Sequence, residues 1–117
     1  MMSTDDHDSV ELLKGLADLY RRNGQSQRAL VLLLIAAHVA PADGGLLSRL
    51  ALLFTDAGDA PRALNAVDRL VALHGESASS LLLRSRALWA GASQNEARLC
   101  FKRYLVARRA PQGEFPQ

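Results

Sequence analysis

At 117 residues with a formal charge of +2, the chain has the size of one domain, and its charge and few aromatic residues fall short of what a nucleic-acid binder needs. Hydrophobic residues make up 49% and charged residues 22%, a balance that excludes intrinsic disorder. The lone cysteine, Cys100, excludes an intramolecular disulfide scaffold and fits a reducing compartment.

Residues 1–8 are polar and acidic, without apolar periodicity, so they read as a disordered N-terminus and not as a secretory signal. Ser9 is placed to cap a first helix, with Asp8 and Glu11 near its positive end. Leu12, Leu13, Leu16, Ala17 and Tyr20 supply its apolar stripe up to about Arg22, and Asn23-Gly24 stops it. A second helix from about Gln27 to Val39 is apolar on every side over Ala29–Ala37, more than one layer of helices can cover. Val31, Leu32 and Leu34 are the excess, and they predict self-association of the chain without a partner. That run is nine residues long, well short of the about 20 needed to span a bilayer, so membrane insertion is not expected and a cytoplasmic protein is.

Pro41 ends the pair. The next helix follows Asp43, its first turn predicted to be loose because of Gly44 and Gly45, and runs through Leu46, Leu47, Leu50, Ala51 and Phe54 to Ala57-Gly58. Asp59 caps the fourth helix, with Pro61 in its first turn, where a missing amide hydrogen is harmless. Ala63, Leu64, Val67, Leu70 and Val71 carry it to His74-Gly75. A fifth helix opens near Ser77 and turns at Gly91-Ala92. Ser93-x-x-Glu96 has the pattern of a capping box ahead of the sixth, which holds Ala97, Phe101, Tyr104 and Leu105 and frays near Arg108-Arg109. Residues 110–117 read as a tail.

Ala29, Ala63 and Ala97 stand thirty-four residues apart. Leu13/Leu47/Leu81, Tyr20/Phe54/Leu88 and Gly24/Gly58/Ala92 return in the same register, which divides the chain into units 9–42, 43–76 and 77–109. Alanine at the period lets two helix backbones approach; a larger side chain there would cost about 1–3 kcal/mol in overpacking. The main competitor is an irregular helical bundle. The register predicts an all-α fold of three helix pairs in a short right-handed solenoid, with Leu13, Tyr20, Ala29, Leu47, Phe54, Ala63, Leu81, Leu88, Ala97 and Phe101 in the core.

Nothing in the pattern suggests an enzyme, a metal site or a cofactor. His7, His38 and His74 are not at ligand spacing, Cys100 has no histidine near it in sequence, and Asp56 and Asp59 flank a turn. The candidate working surface is the concave side. Counted back from each alanine, the positions facing it include Lys14 and Asp18 in the first unit, Arg49 and Leu52 in the second, and Leu82, Leu83, Arg86 and Trp89 in the third. The leucines and tryptophan would form an apolar floor, and Lys14, Arg49 and Arg86 a basic edge, suited to a peptide or helix of another protein.

The series Leu13/Leu16-Ala17/Tyr20/Gly24/Ala29/Ala36/Pro41, repeated as Leu47/Leu50-Ala51/Phe54/Gly58/Ala63, resembles the tetratricopeptide repeat over about residues 10–109. The third copy departs at Arg84 and Arg109. The carboxylate clamp of some repeat adaptors could be matched by Lys14, but Asp18 stands where asparagine is expected. More narrowly, Arg28-Ala29-Leu30-Val31-Leu32-Leu33 and Glu96-Ala97-Arg98-x-x-Phe101-x-x-Tyr104-Leu105 are similar to small tetratricopeptide chaperones of bacterial type III secretion systems, of the YscY type. That resemblance implies a non-enzymatic cytoplasmic protein that holds a small secreted component of the YscX type and brings it to the inner-membrane export gate. A generic scaffold or assembly adaptor is the alternative.

Overall fold

The computed structural model describes residues 3–109. Its elements are α1 (Thr4–Arg22), α2 (Ser26–Val39), α3 (Gly44–Asp56), α4 (Ala60–His74), α5 (Ala78–Ala90) and α6 (Gln94–Arg109), with no strand among the described residues. The helices pair as α1/α2, α3/α4 and α5/α6; α3 then lies against α2, and α5 against both α4 and α3. The three pairs stack into a short right-handed solenoid.

The turn inside each pair is one motif used three times. Gln25 N–H donates to the Tyr20 carbonyl at 2.8 Å, Asp59 N–H to Phe54 at 2.8 Å, and Ser93 N–H to Leu88 at 2.9 Å. These bonds close the end of the first helix in the manner of a Schellman motif, which needs a left-handed residue just past the helix. Gly24 and Gly58 occupy it at φ 78°, and Ala92 takes it at φ 66° in the third unit, a conformation that disfavours any residue with a Cβ.

Helix starts follow side-chain chemistry, with three departures from expectation. The first helix begins before Ser9, so residues 4–8 of the predicted disordered segment are helical. Ser3 is the cap: its hydroxyl accepts from Asp6 N–H and the Asp6 carboxylate accepts from Ser3 N–H, while Asp5 and Asp6 suit the positive end. Gly44 and Gly45 are helical rather than loose, because Asp43 accepts from Leu46 N–H at 3.0 Å. The reciprocal Ser93–Glu96 pair is not among the side-chain hydrogen bonds of the described residues; the start of α6 has the backbone bond from Ala97 N–H to Ser93. Ser77 and Ser80 form the true box, at the start of α5. Asp59 caps α4 as expected, accepting from Arg62 N–H. Met1, Met2 and the predicted tail 110–117 lie outside the described residues.

Ala29, Ala63 and Ala97 are all buried, as are Leu47, Phe54 and Leu81. Leu13, Tyr20 and Leu88 are half-buried, Leu13 and Tyr20 packing on the core cluster. Phe101 does not belong to the core: it is 43% exposed. Its repeat equivalents Leu33 and Val67 are both 0% exposed, because each is covered by the first helix of the following unit, and no described residue does this for α6. On α2, Leu32 packs on the core while Val31, Leu34, Ile35 and Val39 are exposed.

Candidate partner-binding groove

Two of the three predicted basic residues are committed elsewhere. Lys14 is buried, not at an edge: its ammonium sits 2.6 Å from Glu11 and 3.2 Å from both Asp43 oxygens. Gly45, which has no side chain, leaves room for it, since a Cβ there would lie 3.3 Å from the Lys14 Nζ. Burial works against the charge on Lys14, but the hydrogen bonds it donates to Glu11 and Asp43 and their negative charge outweigh it, and its pKa stands above that of an ordinary lysine. Burial likewise opposes ionisation of Asp43, but the Leu46 amide and Lys14 outweigh it and its pKa is lowered. Asp18 and Arg49 grip each other through two parallel bonds of 2.9 Å, Nε to Oδ1 and Nη2 to Oδ2, the bidentate geometry that suits guanidinium to carboxylate. Those bonds hold the Asp18 carboxyl below the usual carboxylate range despite its partial burial. Ion pairs thus tie α1 to α3 and its capping Asp43, with Arg21–Asp56 adding a third.

The third unit is different. A groove of about 950 Å³ runs between α3, α5 and α6. Leu52 and Thr55 of α3, Leu82, Ser85, Arg86 and Trp89 of α5, and Ala97, Phe101 and Leu105 of α6 line it, with Arg98 and Lys102 beside them and the Arg21–Asp56 pair at one end. Of the residues expected in the concavity, Leu52, Leu82, Arg86 and Trp89 are brought together here. Leu83 is not: it packs on the hydrophobic core, because consecutive positions on a helix point about 100° apart and Leu82 takes the groove side. Lys14, Asp18 and Arg49 stand apart from this groove, in the ion pairs described above.

The sequence reading missed the α6 wall, Phe101, Lys102 and Leu105. The register places Phe101 with the core residues Leu33 and Val67, but a register sets the direction of a side chain and not what covers it. Trp89 is 53% exposed, and the Arg98 guanidinium lies over its ring at 5.9 Å, within the range of a cation–π contact. Arg86, Arg98 and Lys102 are exposed cations on an apolar floor.

No group of three or more His, Cys, Asp or Glu is placed to hold a metal among the described residues. Cys100 is buried, its thiol donates to the Leu81 carbonyl at 3.3 Å, and burial pushes its pKa up, away from the thiolate form needed for nucleophilic work. His74 is tied to the Ala42 carbonyl at 2.8 Å. No described helix is long and apolar enough to cross a membrane.

The architecture is similar to that of a tetratricopeptide-repeat domain. A solved structure of the second tetratricopeptide domain of Spaghetti (RPAP3), bound to the HSP90 peptide SRMEEVD, superposes with a TM-score of 0.76 at 16% sequence identity, covering 90% of this chain and 99% of that one. No protein-family model matches the sequence, and no curated protein matches it either.

Proposed function

We propose that this chain is a non-enzymatic binding module that takes an apolar segment of another protein into the groove between α3, α5 and α6. The observation that carries the reading is the third-unit groove itself: a half-exposed tryptophan and phenylalanine with leucines on the floor, rimmed by three exposed cations. Binding energy at interfaces concentrates in such aromatic and aliphatic anchors. The likeness in fold to a peptide-binding repeat domain supports the general reading. It does not support the same ligand, since Lys14 and Asp18, at clamp positions by resemblance, already hold Asp43 and Arg49. The chain is therefore expected not to bind SRMEEVD.

Within that reading, the partner we infer is a small secreted component of a type III secretion system, of the YscX type, held in the cytoplasm for the inner-membrane export gate. Its support is the resemblance of the Arg28–Leu33 and Glu96–Leu105 runs to YscY-type chaperones, together with the uncovered apolar surface. A generic assembly adaptor is the alternative. The test is calorimetric titration with the YscX-type protein of the same secretion gene cluster, for the wild type and for Trp89→Ala. Saturable binding that weakens about thirtyfold in the variant, as loss of an anchor worth about 2 kcal/mol predicts, supports both site and partner. Absence of binding to that protein rejects the secretion reading, and wild-type affinity in the variant rejects the groove.

A further inference from the structure

The two ends of the solenoid carry halves of one seam. At the seam between the first two units, α3 packs on α2 and carries Leu46, Leu50 and Leu53, which are 0%, 6% and 3% exposed. Thirty-four residues earlier, α1 carries Leu12, Leu16 and Leu19 at the same three positions, and these are 63%, 36% and 50% exposed. At the other end Phe101 stands where Leu33 and Val67 are wholly buried under the next first helix. Solenoids ordinarily close their ends with polar faces; here the described residues leave a leucine stripe at one end and an aromatic one at the other.

Charge distinguishes the ends and fits them to each other. The first half of α1 exposes Asp5, Asp6, Asp8 and Glu11, and α6 exposes Arg98, Lys102, Arg108 and Arg109. In the inner seams a first helix starts beside the end of the preceding second helix, because the linkers are short: residues 40–43 between α2 and α3, and 75–77 between α4 and α5. An α1 docked on α6 in that way sets its acidic start against the basic end of α6. Opposite helix-terminal dipoles then meet as well.

We propose that the chain associates head to tail, α1 of one copy lying on α6 of the next as α3 lies on α2 within the chain. The contact joins unlike surfaces, so it propagates into longer assemblies unless the rotation closes a ring. It stands independently of the identity of the groove's partner, although Phe101 belongs to both surfaces.

The test is sedimentation velocity on the full chain, with Leu12→Lys to block the head and Phe101→Glu to block the tail. Both side chains are exposed, and circular dichroism checks that each variant keeps its helices; should one fail, Leu19→Lys or Arg98→Glu replaces it. Expected are a wild-type mean mass that rises with concentration past that of a dimer and falls with added salt, variants that are each monomeric alone, and a mixture that doubles its mass to a dimer and stops. The mixture is decisive because it retains one good head and one good tail. A wild type that stays monomeric overturns the proposal, as does one that associates only after residues 110–117 are removed, which would give the tail's place to the chain's own terminus. So do single variants that still dimerise, or a mixture that remains monomeric, since a symmetric contact behaves that way.

Discussion

Leu33 and Phe101 occupy the same place in the repeat and have opposite fates. Leu33 is sealed between α2 and the next pair, whereas Phe101, two units later, forms the wall of a groove. The helices around them are built alike, down to the three identical turns. What differs is whether a further helix follows among the described residues. A repeat code therefore specifies which way a side chain points, and the neighbour decides whether that direction is interior or surface. The ion pairs make the same distinction: the α1–α3 face satisfies its charges internally through Lys14–Asp43 and Asp18–Arg49, while Arg86, Arg98 and Lys102 remain exposed around the groove.

Truncating the equivalent pair should break the comparison or sharpen it most. Leu33→Ala empties a fully enclosed site and is expected to cost about 3 kcal/mol; Phe101→Ala removes a side chain already half in water and should cost no more than about 1 kcal/mol. Urea unfolding of both variants checks this, and equal losses would mean that Phe101 is core after all. Next comes Lys14→Ala, which leaves the partly buried Asp43 without its cation. A loss of about 1–2 kcal/mol is expected, between the surface and buried ion-pair ranges, while Arg86→Ala should fall within about 0.5 kcal/mol of wild type in the same assay.

The ion-paired face also fixes the acid response. The pKa values of Asp18 and Asp43 are lowered in the folded chain, so their contribution is present above the unfolded carboxylate value of about 3.9 and is lost as pH falls through the folded values. Stability should decline below about pH 4, and Asp18→Asn should flatten part of that decline. Unfolding midpoints measured from neutral pH downward would show it; an unchanged acid limb in Asp18→Asn would mean that the pair contributes nothing. A small gain is expected at the third turn. Ala92→Gly relieves a left-handed alanine, worth about 1–2 kcal/mol in strain, but loosens the unfolded chain by about 0.4–1 kcal/mol, leaving a net gain of about 0.5–1 kcal/mol in thermal unfolding.

Much of the fold was legible because its signals are local or periodic. Asp59 and Pro61 mark a helix start through backbone chemistry alone, and the Gly24/Gly58/Ala92 series marks the turns. The helix start at Ser3 was not legible, since Ser9 beside Asp8 and Glu11 offers an equally good cap in one dimension. Lys14 and Asp18 were misplaced for a different reason. Their helical phase toward the concavity was sound, but their partners Asp43 and Arg49 lie about thirty residues away in sequence and meet them only when the second unit stacks on the first. Trp89, Leu82, Leu52 and Arg86 needed only helical phase and were placed together by it; Phe101 and Leu105 needed knowledge of what lies beyond α6.

Trp89 is the chain's one tryptophan, so its fluorescence reports directly on whether the third-unit groove is open in the free chain. Collisional quenching of the unliganded protein by iodide and by caesium is the measurement. An open groove rimmed by Arg86, Arg98 and Lys102 predicts efficient quenching by both ions, with iodide the stronger and its advantage shrinking as salt screens the cations. A blue-shifted emission that neither ion quenches would show the ring already covered, and would contradict the claim that this face waits for a partner.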